Sequence, residues 1–290
     1  MTVRSRILQA IRRFFTEHGY IEVETPVRIA TPALENHIDA EPAGDRFLRT
    51  SPELHMKRLL VEGFPRIFQI GPCFRRGEQG RFHTPEYTML EWYRQGADYE
   101  SVLTETRALM RAVATEARGA TRVTLAGAEV DLAGPWSVWT VAEAFGRWAG
   151  WDPVRDWDAD RFDWDLVHKV EPALPRTAPV ALKDYPVAAA ALARCRGGAA
   201  PVAERWELYL GGLELANAFS ELTDPREQRR RFEVSARTRA RAGREVYALD
   251  EDFLAALSRG LPACAGVALG VDRLALALTD GGSLNEVRAF

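Results

Sequence analysis

One short segment of the chain concentrates side chains that could bind a nucleotide. Residues 66–76 and 86–93 predict two strands joined by a polar loop. The loop is strongly cationic and contains Arg75, Arg76, Arg81 and His83. The second strand places four side chains on one face by its period of two, namely Tyr87, Met89, Glu91 and Tyr93. Guanidinium groups bind phosphate and aromatic rings stack on bases, so the segment indicates a nucleotide site; a solvated loop above an edge strand is the alternative.

A second hairpin carries two carboxylates that could share a cation. Residues 205–219 form two apolar alternating runs around Gly211 and Gly212, which predicts a two-residue turn. Such a turn pairs Glu207 with Ala216 and Tyr209 with Glu214. Glu207 and Glu214 then lie on one face, roughly 7–8 Å apart at the backbone. Two such carboxylates could hold Mg²⁺ together with phosphate oxygens; a solvent-facing polar row is the alternative.

A third candidate lies near the end of the chain, in the sequence GVALGVDRL at 266–274. Its glycines allow a tight backbone, and Asp272 and Arg273 stand where an apolar helix begins. Helix N-termini attract anions, and Arg273 would add a cation there. An ordinary turn from strand to helix is the alternative.

The rest of the chain predicts the scaffold that positions these segments. Helices are predicted at 3–18, 100–118, 225–242 and 250–258, strands at 20–23 and 180–184, and a strand followed by a helix within 266–279. Residues 119–178 predict an irregular insertion with one or two helices. No repeat or linker interrupts the chain, so we expect a single domain over residues 1–290.

Composition excludes several classes of protein. The 290 residues carry 38 basic and 41 acidic side chains and a net charge of -3, which excludes a globally basic nucleic-acid binder. Only three of the basic residues are lysines: Lys57, Lys169 and Lys183. Three distant cysteines suggest neither disulfides nor a zinc site. We expect a cytoplasmic protein, because neither a signal peptide nor a membrane-spanning run is apparent.

Taken together, the motifs resemble those of the class II aminoacyl-tRNA synthetases. HGYIEVETP (18–26), FRRGEQGRFHTPEYTMLEWY (74–93) and GVALGVDRL (266–274) resemble motifs 1, 2 and 3 of that family. Three further segments resemble its lysyl branch: TSPELHMKRLL (50–60), KDYP (183–186) and GLELANAFSELTD (212–224). The resemblance implies an α+β fold with an antiparallel sheet flanked by helices. It also implies a homodimer, since motif 1 builds the two-fold interface in that family.

Within this branch the motif sequences most closely resemble those of the elongation factor P–(R)-β-lysine ligases, which are short paralogues of the lysyl-tRNA synthetases. Motif 1 starts at about residue 18, so we expect no anticodon-binding domain before it. The resemblance implies activation of (R)-β-lysine, or lysine, with ATP and Mg²⁺. It further implies transfer of the aminoacyl group to a lysine side chain of elongation factor P.

The resemblance assigns roles in ATP binding by matching motif positions. Arg75 would be catalytic at the α-phosphate, His83 would lie near the β/γ end, and Arg273, also counted as catalytic, would sandwich adenine with Tyr87. Glu207 and Glu214 would hold Mg²⁺. The full set for ATP is Arg75, Gly77, Glu78, His83, Thr84, Tyr87, Glu214, Leu215, Gly270 and Arg273. Gly77, Glu78 and Thr84 depart from the usual motif 2 pattern of Phe-Arg-x-Glu and a later His-Asn.

The resemblance also implies an amino-acid pocket rich in carboxylates, as a substrate with two ammonium groups requires. Its members would be Ser51, Pro52, Glu53, Glu91, Tyr93, Asn217, Phe219, Glu221 and Ala268. Glu221 would bind the side-chain ammonium. Ala268 stands where lysyl-tRNA synthetases have Gly, and its methyl group would narrow the pocket floor in favour of a β-amino acid. Ala218 also replaces a family Gly.

Two other functions remain open from the sequence. One is a truncated lysyl-tRNA ligase, and the other is a non-catalytic regulator that binds an adenylate. We do not expect tRNA as the acceptor, because the net charge gives no overall attraction to its backbone. The Arg-rich helix at 225–242 is either a solvated face paired with Glu227 and Glu233, or a docking surface for an acidic protein.

Overall fold

A nine-stranded sheet organises the chain. The computed structural model describes residues 2–125, 127–198 and 200–289. The α-helices are α1 (Thr2–Glu17), α2 (Glu53–Val61), α3 (Tyr99–Arg118), α4 (Val141–Trp148), α5 (Ala159–Asp165), α6 (Glu171–Ala173), α7 (Pro225–Arg241), α8 (Glu251–Gly260) and α9 (Val271–Thr279). The strands are β1 (Ile21–Glu22), β2 (Arg28–Ile29), β3 (Pro42–Ala43), β4 (Arg46–Leu48), β5 (Arg66–Phe74), β6 (Glu86–Gln95), β7 (Arg122–Leu125), β8 (Ala128–Asp131), β9 (Ser137–Thr140), β10 (Val180–Pro186), β11 (Cys195–Arg196), β12 (Val202–Leu210), β13 (Leu213–Ser220) and β14 (Cys264–Gly270).

The sheet is antiparallel through its middle and parallel near its edges. Its order is β1-β5-β6-β14-β13-β12-β10-β9, with β11 beside β12. The pairs from β5 to β10 are antiparallel, whereas β1 joins β5 and β9 joins β10 in parallel. Helices flank the sheet, so the predicted α+β class with a largely antiparallel sheet is confirmed.

One face of the sheet is a continuous apolar core. A row of paired residues crosses five strands on this face: Phe68, Trp92, Val267, Ala218 and Trp206. Phe15 of α1 packs on this row, with ring centroids 4.8 Å from Phe68 and 5.2 Å from Trp92. Residues of α3 and α9 complete the same core. Because strand residues alternate between faces, the next residue of each strand points away from this core.

The predicted helices and strands match the structure closely except in the insertion. The segment 119–178 holds more regular structure than predicted. It contains the β7–β8 hairpin, the edge strand β9 and a helical run from α4 to α6. A capping box between Thr140 and Glu143 starts α4, and the sequence alone displays that signal. Among the described residues, no helix is long and apolar enough to cross a bilayer.

Candidate active site

The open face of the sheet forms the floor of a cavity of about 390 Å³. One row of paired residues crosses four strands there: Glu207, Asn217, Ala268 and Glu91. A second row, two residues along each strand, consists of Arg205, Phe219, Gly266 and Tyr93. Both rows lie opposite the aromatic core, so the alternation that buries one face presents charge and hydrogen-bonding groups on the other.

A β-bulge corrects the predicted register of the second hairpin. Tyr209 pairs with Glu214 as predicted, but Glu207 pairs with Asn217 rather than with Ala216. The register shifts because one strand has an extra residue between these pairs. In a regular strand, Glu214 and Asn217 would face opposite sides, since they are three residues apart. The bulge brings both to the cavity.

One end of the cavity, which we call the carboxylate end, contains a buried group of carboxylates. Ser51 and Tyr93 donate hydrogen bonds to Glu91, at 2.6 and 2.9 Å. Burial, and to a smaller extent the nearby carboxylate of Glu53, raise the pKa of Glu91 to about 7. Burial likewise raises the pKa of Glu221 to about 8, although the ammonium of Lys57 opposes that shift.

Gly266 lets two of these groups approach the sheet backbone. A Cβ atom at this position would lie 2.2 Å from Cε1 of Tyr93 and 2.5 Å from Oε1 of Glu221. Both distances are far below van der Waals contact, so any larger residue would displace the tyrosine ring or the carboxylate. The glycine noted in the sequence for its tight backbone is therefore required by side-chain packing in the pocket.

The cationic end of the cavity contains the arginines of motifs 2 and 3. The guanidinium carbon of Arg75 lies 5.3 Å from the ring centroid of Tyr87, and the buried Nε of Arg75 has no hydrogen-bond partner among the described residues. Arg273 donates to Nε2 of His83 at 2.7 Å and to the backbone oxygen of Glu214 at 2.8 Å. Burial, reinforced by Arg273, lowers the pKa of His83. The unpaired Nε of Arg75 suits an anionic ligand such as a phosphate.

The two predicted metal ligands, Glu207 and Glu214, differ in how far hydrogen-bond donors of the protein already occupy their carboxylate oxygens. Tyr185 and Tyr209 each donate to Oε2 of Glu207 at 2.6 Å, and Arg205 contacts Oε1 at 2.5 Å. The side chain of Glu214 is 40% exposed to the open cavity. Its carboxyl group still loses hydration within the cavity, and this loss, together with repulsion from Glu207, raises its pKa. Oxygen donors and mutual repulsion fit a hard cation, with Glu214 as the freer ligand. In the described parts of the chain, no three or more His, Cys, Asp or Glu side chains are arranged to hold a metal ion.

The structure brings nearly all of the predicted site residues together. All of them line the cavity except Gly77 and Pro52. Pro52 is the N-cap of α2, and Gly77 turns the motif 2 loop at a φ of 79°. Of the departures from motif 2, Glu78 lies 3.6 Å from Arg75, and Thr84 donates to the backbone oxygen of Glu86. The roles of these residues toward ligands stay predictions.

Sequence reasoning missed several residues of the cavity. Glu35 and Ile38 line it from the loop before β3, and Arg205 lines it from β12. Burial raises the pKa of Glu35 to about 6, although Arg75 opposes that shift. The loop lacks a periodic pattern, so only tertiary packing reveals it. Lys57, in the wall behind the carboxylates, was also missed, although the presence of only three lysines in the chain could have drawn attention to it.

Arg239 of the Arg-rich helix holds this loop in place. Its side chain is fully buried and donates to the backbone oxygens of Glu35 and Ile38, each at 2.7 Å, and to Asp39 at 2.6 Å. Asp39 in turn accepts a backbone hydrogen bond from Arg76 at 2.7 Å. The helix thus connects to the motif 2 loop through one buried cation.

The remainder of the same helix is paired as predicted at Glu227, whereas Glu233 forms no ion pair among the described residues. Glu227 accepts hydrogen bonds from Arg230 and Arg231, each pair within 2.8 Å. Arg229 pairs instead with Glu251 of α8. Arg229 and Arg230 are exposed and ion-paired, as expected of a surface helix, whereas Arg231 is largely buried and also donates to the backbone oxygens of Ala191 and Ala193.

Comparison with known proteins agrees with this geometry. The sequence pattern of the class II tRNA synthetases (D, K and N) matches residues 1–290, and the chain belongs to this family. It is 38% identical to a lysine–tRNA ligase of Moorella thermoacetica and 36% identical to one of Thermosynechococcus vestitus, covering 99% of this chain but only 64% and 62% of those proteins. It is 38% identical to an elongation factor P–(R)-β-lysine ligase of Hamiltonella defensa, covering 99% of this chain and 93% of that protein.

The buried carboxylates predict an unusual dependence of stability on pH. Because the folded-state pKa of Glu221 lies above the ordinary value of 4.5, the folded protein binds more protons than the unfolded chain. The stability that this proton binding contributes is fully present below about pH 4.5 and is lost as the pH rises towards about 8. Between pH 5 and 9, the free energy of unfolding should fall by on the order of 2 kcal/mol less in Glu221→Gln than in the wild type, as measured by urea unfolding.

The matched control is Glu129→Gln, because Glu129 lies on the β7–β8 hairpin with its side chain 66% exposed. This variant should keep the wild-type pH slope. Equal pH slopes in the wild type and in Glu221→Gln would contradict the prediction.

Proposed function

We propose that this protein activates a lysine-type amino acid with ATP and transfers it as an aminoacyl group. The observation that carries the proposal is one cavity with two chemically distinct ends. The cationic end contains Arg75 and Arg273 beside the carboxylates Glu207 and Glu214. The other end contains buried carboxylates suited to the ammonium groups of the amino acid, among them Glu91 and Glu221.

The first reaction is a displacement at the α-phosphorus of ATP. A carboxylate oxygen of the amino acid bonds to that phosphorus while its bond to the bridging oxygen breaks, and pyrophosphate leaves. Arg75 offsets the negative charge that develops on the phosphoryl oxygens, so its fixed position lowers the barrier. Glu214 and Glu207 would hold Mg²⁺, which neutralises charge on the triphosphate.

For the second reaction we propose a lysine side chain of elongation factor P as the acceptor. Its amine must be neutral to attack the adenylate carbonyl; AMP then leaves and the nitrogen loses a proton. Support comes from the relative named as an elongation factor P–(R)-β-lysine ligase, 93% of whose length is covered. We also propose that the enzyme acts as a homodimer, as the resemblance of motif 1 implies.

The lysine–tRNA ligases support a second candidate with the same first reaction and a tRNA acceptor. The lysine–tRNA ligase of Moorella thermoacetica is equally similar, at 38% identity, although this chain spans only 64% of its length. A non-catalytic role is less well supported, because such a protein has no use for phosphate-binding arginines and paired carboxylates in one cavity.

A transfer assay separates these acceptors. The purified protein is incubated with ATP, Mg²⁺ and labelled (R)-β-lysine or L-lysine, with elongation factor P or bulk tRNA. We expect label on elongation factor P, at a rate that rises through the alkaline pH range as the acceptor amine loses its proton. An elongation factor P with its acceptor lysine replaced by arginine should receive none. Charging of tRNA without any transfer to elongation factor P would overturn the proposed acceptor.

Removal of Glu214 tests the metal assignment. We expect Glu214→Ala to reduce ATP–pyrophosphate exchange by at least about a hundredfold, because the charge on the triphosphate would be poorly neutralised. The control Glu251→Ala removes a carboxylate whose side chain is 62% exposed and lies on α8, and it should exchange normally. Wild-type exchange by Glu214→Ala would refute this role.

A substitution at Ala268 in the pocket floor tests which isomer of lysine the pocket prefers. Ala268 pairs with Asn217 on one side and with Glu91 on the other, at the centre of the floor row. Ala268→Gly removes the methyl group and should shift the preference in pyrophosphate exchange from (R)-β-lysine towards α-lysine. An unchanged ratio of kcat/KM for the two isomers would show that the methyl group does not set the preference.

A further inference from the structure

Lys57 is a buried cation inside the carboxylate end of the cavity wall. Its side chain is 1% exposed, and its ammonium donates a hydrogen bond to Oε1 of Glu53 at 2.5 Å. The same Nζ lies 2.5 Å from Oε2 of Glu221, whose side chain is also 1% exposed. One ammonium therefore bridges a residue of α2 and the residue that follows β13.

The residue type at this position is informative in this chain. Of 38 basic residues only three are lysines, so arginine fills nearly every cationic position. An ammonium is a compact point charge, whereas a guanidinium is a broad planar fork. The gap in which Lys57 contacts both Glu53 and Glu221 at 2.5 Å suits the smaller group.

The charge of the pocket follows from these contacts. Glu53, Glu91 and Glu221 supply three negative charges when ionised, and Lys57 supplies one positive charge. Two negative charges remain, which equals the two ammonium groups of a lysine-type substrate. Without Lys57, three carboxylates would crowd a water-poor site, and repulsion would drive at least one to take up a proton.

We propose that Lys57 is a positioning residue that favours the ionised form of Glu221 and holds its carboxylate in place, so that the pocket selects amino acids with a second ammonium group. The inference rests on the proposed activation of a lysine-type substrate and adds the residue that enforces its selectivity. Lys57 acts through Glu221 and does not itself bind substrate in this scheme.

Other charged groups around Glu221 act in the opposite sense. Glu53 of α2 and Glu91 of β6 both favour its protonated form, as does burial. Cys264 of β14 is buried nearby, and burial and Glu221 both raise its pKa, so the thiol stays neutral. Lys57 is therefore the group among these that favours the ionised carboxylate.

The test compares the wild type with Lys57→Met by calorimetric titration of lysine, or (R)-β-lysine, from pH 6.5 to 9. In the wild type, affinity should rise with pH and level off near pH 8, the pKa of Glu221. In the variant, the pH at which affinity levels off should rise by at least about one unit. Affinity should still increase about tenfold per pH unit at pH 8.5, because binding must release a proton.

Selectivity gives a second readout. In pyrophosphate exchange at pH 7, discrimination between lysine and norleucine, which lacks the side-chain ammonium, should fall at least about tenfold in Lys57→Met and partly recover at pH 9. The KM for ATP should stay unchanged. Lys57→Gln, which retains hydrogen-bond donors without the charge, should behave like Lys57→Met and serves where that variant folds poorly.

Lys169→Met is the matched control, because Lys169 pairs with Asp165 away from the cavity with its side chain 47% exposed. It should keep the wild-type pH profile. A loss of affinity by the same factor at every pH, or an unchanged plateau and discrimination, would overturn the role of Lys57. Absence of lysine binding and exchange in the wild type would instead refute the proposed function.

Discussion

Crowded negative charge on one face of the central sheet is the constraint on which the cavity depends. Glu91 and Glu207 lie in one cross-strand row, and Glu53, Glu214 and Glu221 border it. Carboxylates that lose hydration and face one another become neutral unless cations offset them. The cations that offset them are Lys57 at the carboxylate end, and Arg75, Arg205 and Arg273 nearer the cationic end.

The opposite face of the sheet gives this charged surface its rigidity. Trp92 and Trp206 are fully buried there, and each stands next in sequence to a carboxylate of the cavity, Glu91 or Glu207. A shift of one residue in register would exchange tryptophan and carboxylate between core and cavity, so the packing energy of the aromatic row holds the carboxylates in position. Arg239 adds support from outside by holding the loop that carries Glu35. Such preorganisation suits a reaction governed by positioning and charge.

The sequence by itself determined the α+β class, the two hairpins that carry the predicted ligands and most of the cavity lining. Period-two alternation placed Tyr87, Glu91 and Tyr93 on one face, and the strand bears this out. The resemblance of 74–93 and 266–274 to motifs 2 and 3 implied that Arg75 and Arg273 would share one site, and both line the cavity. The insertion was less predictable, since its short elements depend on contacts with the edge of the main sheet.

Only the tertiary structure decided which distant charges face one another. The bulge that brings Glu214 and Asn217 to one face follows no local pattern, because it depends on how β13 pairs with both β12 and β14. In the sequence Lys57 is distinguished only as one of three lysines, and Arg239 as one of many arginines on a predicted helix. Both are buried, because residues more than 150 positions away in the chain, Glu221 for Lys57 and Asp39 for Arg239, fold against them. Burial and ion pairing depend on packing across the whole chain, and a local pattern of residues does not encode them.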